Sequence, residues 1–122
     1  MSSETIRRVV RDRPLASLGD AFVNFIYSLA LTKINGSPQG TKVSDRILAE
    51  AFRVAGLREY LGTRLSRKDL ANAAESLLVE AYRKQLISIE ESVSIISKNP
   101  GGPNAGLSSL LKLAAERVDK AP

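Results

Sequence analysis

The sequence predicts an all-α protein, a single compact helical domain of about six helices that spans residues 1–122. Strong helix formers dominate the chain, and apolar residues recur every three or four positions. No stretch alternates between apolar and polar residues, as a half-buried strand does. With 122 residues and 43% apolar side chains, the chain has the length and composition of one globular domain with one core.

The first half of the chain predicts three helices. The first is short and basic and covers residues 2–11. Pro14 begins the second, because its missing N–H is not needed in a first helical turn. The apolar residues of the second helix recur at helical spacing: Leu15, Leu18, Phe22, Phe25, Ile26 and Leu29. A Gly- and Pro-containing loop at 35–40 ends it. Ser44 caps the third helix, and Gly56 ends it.

The second half predicts a short helical turn at 58–61 and then three longer helices. A serine three residues before an acidic residue indicates the start of two of them, because the two residues can cap a first turn reciprocally. These pairs are Ser66 with Asp69 and Ser88 with Glu91. The Asn-Pro-Gly-Gly-Pro segment at 99–103 is a break, and a last amphipathic helix is predicted over 107–118.

The composition limits the possible chemistry. The chain has no cysteine and no histidine, which excludes disulfides, thiol nucleophiles, serine–histidine catalysis and zinc sites built from these residues. An enzyme of this composition must use carboxylates, lysines, hydroxyls or a metal bound through oxygen. The net charge of +5 indicates a polyanionic partner or a basic soluble protein.

Two segments bear on location. Residues 1–13 are polar and basic and lack the apolar core of a secretory signal. Residues 15–34 are the most apolar of the chain, but Asp20, Asn24 and Lys33 interrupt them, which favours a buried helix over a membrane span. We therefore expect a cytoplasmic protein with no membrane partner.

Two acidic residues lie inside apolar helical stretches. A buried carboxylate is costly unless it is paired, hydrogen-bonded or bound to a metal, so Asp20 and Glu75 are candidate functional residues. Asn72 precedes Glu75 by three positions and shares its helix face. Crossing helices would bring these three oxygen donors together, and Gly19 would allow a close approach. Such donors suit Mg²⁺ or Mn²⁺. The alternative is that both acids face solvent or pair with arginines.

These residues lie in motifs that resemble those of the ribonuclease III family. Leu18-Gly19-Asp20-Ala21 resembles its signature helix, which contains a catalytic aspartate. The sequence at 72–77, Asn-Ala-Ala-Glu-Ser-Leu, resembles its second acidic motif, Asp-x-x-Glu-Ala-Leu. Between them, residues 48–61 resemble the family's Leu-Ala helix followed by Gly-Leu and an aromatic, and Tyr82 follows as a later aromatic. The resemblance covers residues 15–86 and is closest to compact archaeal ribonuclease III-like proteins and to Mini-III, which lack a separate double-stranded-RNA-binding domain.

Three positions depart from the family pattern. Ala16 stands where the family has a glutamate, four residues before the aspartate. Ser17 replaces a bulky residue that helps to pack the family's dimer. Asn72 replaces the first acid of the second motif, and it keeps a carbonyl oxygen but no charge. Two of four expected carboxylates are thus neutral, and Mini-III-like enzymes also have fewer acids.

The resemblance implies a ribonuclease III-type fold and a metal-dependent endoribonuclease that hydrolyses phosphodiester bonds of double-stranded or structured RNA. Asp20 and Glu75 would be catalytic, and both would hold Mg²⁺ (or Mn²⁺) together with Asn72. It also implies a homodimer in which two such sites flank an RNA groove. The helix that begins near Leu15 is the expected interface, because its apolar residues cover more than one face.

Basic side chains are candidates for contact with the RNA backbone, and a solvated basic face is the alternative. They are Arg7, Arg8, Arg11, Arg13, Arg64, Arg67 and Lys68. Aromatic residues are only 5% of the chain, which disfavours a stacking platform for single strands.

Two further functions remain open. The first is a catalytically silent dimer of the same fold that binds structured RNA as a scaffold, a reading favoured by Ala16 and Asn72. The second is a helical protein-interaction module without an RNA role, which a scatter of arginines over all faces would favour.

Overall fold

A computed structural model describes residues 4–121, and within that range it contains six α-helices and one 3-10 turn. No strand is present in this range, so the all-α prediction is confirmed. The helices, in chain order, are α1 (Glu4–Val9), α2 (Arg13–Asn35), α3 (Asp45–Val54), α4 (Arg67–Arg83), α5 (Ile89–Ser97) and α6 (Pro103–Lys120), and the 3-10 turn at Arg58–Tyr60 lies between α3 and α4.

Most of the predicted helix boundaries are confirmed by cap geometry. The Ser44 hydroxyl accepts the N–H of Ile47 at the start of α3. At the start of α4, the Ser66 hydroxyl accepts the Asp69 N–H at 3.1 Å, and the Asp69 carboxylate accepts the Ser66 N–H at 2.9 Å. Both halves of that capping box are therefore formed. At the other end of α2, Gly36 has φ 78°, a left-handed conformation that glycine adopts without strain.

Three boundaries differ from the sequence prediction. The last helix begins at Pro103, four residues before Leu107, because proline needs no hydrogen bond for its nitrogen in the first turn. Helix α1 ends at Val9 and not at residue 11. Its predicted start at Ser2 and Ser3 lies outside the described residues. Helix α2 begins at Arg13, one residue before Pro14, with Asp12 as its cap.

Helices α2 and α4 cross at the centre of the molecule and form its largest helix–helix contact, and α3 packs against α4. The buried residues of α2 include four small or branched ones at helical spacing: Gly19, Val23, Ile26 and Ala30. Helix α4 is buried over most of its length. Hydrogen bonds also connect these central helices to other helices and their caps. Ser76 Oγ donates to the Asp12 carbonyl at 3.1 Å, and the Tyr27 hydroxyl donates to Asn104 Oδ1 at 2.6 Å.

Helix α2 is also long and apolar enough to cross a membrane, with a mean hydropathy of 1.3 over its most apolar stretch. Of that stretch, 44% is buried inside the protein. The core helix of a soluble protein has the same length and composition, so the absence of a membrane partner stays a prediction.

Candidate active site

The site begins with the close crossing of α2 and α4. Gly19 on α2 lies against the backbone of Glu75 on α4, where an added Cβ would overlap the Glu75 carbonyl group and lie 2.9 Å from its Cβ. Only a residue without a side chain allows this approach. The predicted role of Gly19 in close packing is therefore confirmed, and the crossing brings the next residue, Asp20, beside the Glu75 side chain.

The carboxyl groups of Asp20 and Glu75 form a pair in which each group shifts the pKa of the other. Glu75 is only 6% exposed, whereas Asp20 is partly open to solvent. Burial, followed by the hydrogen bond to Asp20 and its negative charge, raises the pKa of Glu75 to about 8. The hydrogen bond from Glu75 is the main cause that lowers the pKa of Asp20. At neutral pH without a cation, Glu75 therefore holds a proton beside the ionised Asp20 carboxylate.

A lysine that the sequence analysis did not select completes this arrangement. Lys42 Nζ lies 3.1 Å from Asp20 Oδ1, and Asn24 Nδ2 donates to the same oxygen at 3.3 Å. Asn24 Oδ1 in turn accepts the backbone N–H of Val43 at 2.8 Å, which fixes the segment beside Lys42 to α2. The sequence analysis left open that Asp20 faces solvent or pairs with an arginine. In the structure, Asp20 is partly exposed to solvent and pairs with a lysine.

The three predicted oxygen donors lie in one cleft of about 280 Å³. Its lining consists of Arg13, Ala16, Ser17, Asp20, Lys42, Lys68, Asn72 and Glu75. Asn72 is half-buried on the same face of α4 as Glu75, as the three-residue spacing predicts. Ala16, where a glutamate was expected, is buried in the cleft wall and provides no oxygen from its side chain.

The donors of this cleft fit a hard divalent cation, although the set is small. Two carboxylates and one amide oxygen are suitable ligands for Mg²⁺, which usually keeps several water molecules and takes only one or two protein carboxylates. In residues 4–121, no group of three Asp, Glu, His or Cys side chains could hold a metal ion. Asp20, Asn72 and Glu75 are therefore the residues that would hold the cation, with most of its remaining coordination left to solvent or substrate.

Basic side chains continue from this cleft into a neighbouring one. The second cleft, of about 310 Å³, shares Arg13 and Asn72 with the first and is also lined by Arg11 and Arg64. Arg64 has φ 59° in the loop before α4. Three of the predicted RNA-binding arginines thus surround one opening beside the acid pair.

A third cleft, of about 530 Å³ between α3 and the start of α4, has four arginines in its wall. They are Arg46, Arg53, Arg58 and Arg67. Only Arg67 was predicted. Among the described residues the one acid that pairs with this group is Glu50, 2.8 Å from Arg53. The signal for Arg46 and Arg53 was present in the sequence, because residues seven apart share a helix face.

The remaining predicted basic residues lie elsewhere. Arg7 packs over the Tyr60 ring at 5.5 Å and donates to the Glu59 carbonyl. Arg8 is exposed on α1, and neither of these arginines lines the acid cleft. Lys68 lines that cleft, and its ammonium lies 3.7 Å from Asp45 Oδ2.

Helix α2 has a second apolar face on the side away from its buried residues. Leu18 is 51% exposed and Phe25 is 52% exposed, and the half-buried Phe22 lies between them at helical spacing. The Phe22 ring stacks on the Tyr82 ring of α4, with centroids 4.8 Å apart. Helix α2 therefore has apolar residues on two faces, as the sequence predicts.

One comparison with known proteins identifies a family for most of the chain. Residues 13–108 match the family model described as Ribonuclease III. The matched stretch begins at the first residue of α2 and ends inside α6, so it contains both members of the acid pair, Lys42 and all of the third cleft. No curated protein matches the chain.

Proposed function

The chain belongs to the ribonuclease III family, and from this premise we propose that it is an endoribonuclease that hydrolyses phosphodiester bonds of double-stranded RNA with a divalent cation. The observation that supports this activity best is the carboxyl pair of the partly exposed Asp20 and the buried Glu75, at the close crossing of α2 and α4. A carboxyl pair with one strongly raised pKa is typical of a functional site. The neutral residues Ala16 and Asn72 favour the compact, Mini-III-like subtype.

Each donor in the cleft has a defined part in this proposal. A bound Mg²⁺ or Mn²⁺ would supply Lewis-acid activation of the phosphodiester group. Asp20 is already ionised, since its pKa is lowered, and it offers a charged ligand. Glu75 must release its proton before both carboxylates can bind the cation. Asn72 adds a neutral oxygen from the same helix face as Glu75.

The basic clefts supply the contacts to the RNA backbone. Arg13 and Lys68 lie in the acid cleft itself, and Arg11 and Arg64 lie around the neighbouring one. Guanidinium groups bind phosphate oxygens in a planar, bidentate way, so these arginines suit a phosphate chain that passes over the acid pair. A-form RNA can be held through phosphates and 2′-hydroxyls without base readout. The arginines of the third cleft extend this surface along α3.

We further propose a homodimer that packs through the outer face of α2. This face exposes Leu18 and Phe25 with Phe22 between them, and large exposed apolar side chains at helical spacing are typical of an interface. Asp20 lies on the same helix, so a dimer formed here would place two acid pairs near one groove.

The activity is tested with a duplex RNA, Mg²⁺ or Mn²⁺ and purified protein. We expect the native chain to cut the duplex, and Asp20→Asn or Glu75→Gln to abolish cleavage while the fold and duplex binding remain. The matched control is Glu80→Gln, on the same helix, whose carboxylate pairs with Arg83 and Lys84 outside the cleft. Equal cleavage by native protein and Glu75→Gln would refute the proposed role of the pair.

A silent RNA-binding scaffold of the same fold is the second candidate, because Ala16 and Asn72 leave the cleft with two carboxylates. In that case the native chain binds duplex RNA with a steep dependence on salt but does not cut it. If Asn72→Asp restores no cleavage either, the scaffold is the better description. If no RNA binds at any salt concentration, both RNA functions fail and a protein-interaction module remains.

A further inference from the structure

We propose that Lys42 is an internal counter-ion of the acid pair, which a divalent cation must displace in order to bind. This inference rests on the proposed function in one respect, namely that Asp20 and Glu75 bind such a cation. It adds a positioning residue to the site and defines what competes with the metal ion.

The first support is the contact itself. Lys42 Nζ lies 3.1 Å from Asp20 Oδ1, within the distance of an ion pair. An ammonium at this position balances the charge of the Asp20 carboxylate, one of the groups that would bind a metal ion.

The second support is that the backbone holds Lys42 in place. The Ser28 hydroxyl accepts the Thr41 N–H at 2.8 Å and donates to the Thr41 carbonyl at 3.1 Å. On the other side of Lys42, the N–H of Val43 donates to Asn24 Oδ1 at 2.8 Å. Both neighbours of Lys42 are therefore bound to α2, one and two turns after Asp20. The loop is fixed, and only the lysine side chain remains free to move.

The third support comes from the other cations of the cleft. Lys68 lines it as well, but its ammonium pairs with Asp45 at 3.7 Å. Arg13 lines the cleft from the first turn of α2, and no ion pair between it and either acid is found in the described part of the chain. Among these cations, Lys42 is the one in contact with the acid pair. Its side chain is 72% exposed, so it can leave Asp20 without disturbing the core.

The test is a calorimetric titration with Mn²⁺ alone, without RNA, on the full chain at constant pH. We expect Lys42→Met to tighten Mn²⁺ binding by roughly two- to fivefold, the range of an exposed ion pair. Lys42→Arg keeps the charge and should bind Mn²⁺ as the native chain does. Lys68→Met removes the same charge from the same cleft without touching Asp20, and its effect should be smaller.

Three outcomes overturn the inference: equal or weaker Mn²⁺ binding by Lys42→Met, an equal gain in Lys68→Met, or no measurable Mn²⁺ binding by any variant. A second variant, Ser28→Ala, releases the Thr41 side of the loop and should give a smaller gain than Lys42→Met. Circular dichroism checks that each variant is folded. RNA cleavage is measured separately. If the native chain cleaves RNA and Lys42→Met has unchanged Mn²⁺ affinity, the counter-ion role alone is refuted. If Lys42→Met binds Mn²⁺ more tightly but the native chain never cleaves RNA, the proposed function alone is refuted.

Discussion

In the described range, residues 4–121, two pairs of helices cross at a glycine, and one of these crossings has a polar side chain at the contact. At Gly19, α2 meets the backbone of Glu75 on α4. At Gly106, α6 meets the backbone of α5, where an added Cβ would lie 2.6 Å from Ile96 Cα and 2.8 Å from the Ile95 carbonyl oxygen. In both crossings, a glycine on one helix lies directly against the backbone of the other. The difference is the side chain at the meeting point, which is a carboxyl group at one crossing and apolar at the other.

Close backbone approach and catalytic potential are therefore separate properties of a helix crossing. The Gly106 crossing buries Ile96 fully and contributes only to the core. The Gly19 crossing uses the same approach to exclude water from one side of Glu75, which raises its pKa, while Asp20 keeps access to the cleft. A glycine crossing becomes a site when an acid occupies the facing position and a second acid follows the glycine.

Gly19→Ala should have the largest effect, because the new methyl group would overlap backbone atoms of Glu75 that cannot rotate away. We expect a loss of about 3 kcal/mol or more of unfolding free energy, and separation of Asp20 from Glu75. Denaturant titration measures the stability, and RNA cleavage per folded molecule measures the site. Native cleavage by a folded Gly19→Ala chain would show that the close approach is not needed for the pair.

Gly106→Ala tests the apolar crossing in the same way, since its methyl group would also overlap backbone atoms. We expect a similar fall in stability, about 3 kcal/mol, but native Mn²⁺ affinity and cleavage per folded molecule at low temperature. Loss of Mn²⁺ binding in a chain whose helical content is native would mean that the two crossings are coupled.

The pH dependence of stability should reveal the acid at the first crossing. Because the pKa of Glu75 is raised to about 8, its protonated form stabilises the fold. That contribution is complete below the pKa of a glutamate in the unfolded chain, about 4.3, and is lost as the pH rises through about 8. In EDTA, the melting temperature should therefore fall between these values, and in Glu75→Gln this fall should disappear. An equal fall in Glu75→Gln would assign it to other groups.

Asn72→Asp should have the smallest effect of these changes and acts only at the first crossing. A third carboxylate in the cleft should tighten Mg²⁺ binding roughly tenfold, or ~1.4 kcal/mol. The control is Asn104→Asp on α6, near the second crossing, where the new carboxylate can still accept the Tyr27 hydroxyl. Calorimetry measures the Mg²⁺ affinity of both variants. An equal rise in affinity in both would indicate a general effect of the added negative charge.

Much of this molecule is predictable from local sequence rules. Helix caps such as Ser44 and Ser66 depend on residues three positions apart, and both were found. The meeting of Asp20 with Glu75 followed from acids in apolar stretches beside a glycine, combined with the family resemblance. These features can be predicted because the apolar face of an amphipathic helix packs against the core.

The features that sequence analysis missed depend on tertiary contacts. Lys42 follows a Gly- and Pro-containing loop with no periodic pattern, and its place is set by Asn24 and Ser28 on a helix formed earlier in the chain. Arg58 lies beside the other arginines of the third cleft because the 3-10 turn at Arg58–Tyr60 places it there. The sequence predicts the start of α6 four residues too late, because a Gly-Pro segment usually breaks a helix, whereas here Pro103 forms its first turn.

If the cleft binds a divalent cation as proposed, the proton on Glu75 would make that binding an exchange reaction. Near neutral pH, Glu75 holds a proton that it must give up when both carboxylates take a divalent ion, so close to one proton enters the solvent for each ion bound. The heat of binding should therefore vary with the ionisation enthalpy of the buffer. The apparent affinity should also rise with pH, levelling off above about 8, where that proton has already left. For such a cleft, a small rise in pH would increase the fraction of protein with bound Mg²⁺ as a higher Mg²⁺ concentration would.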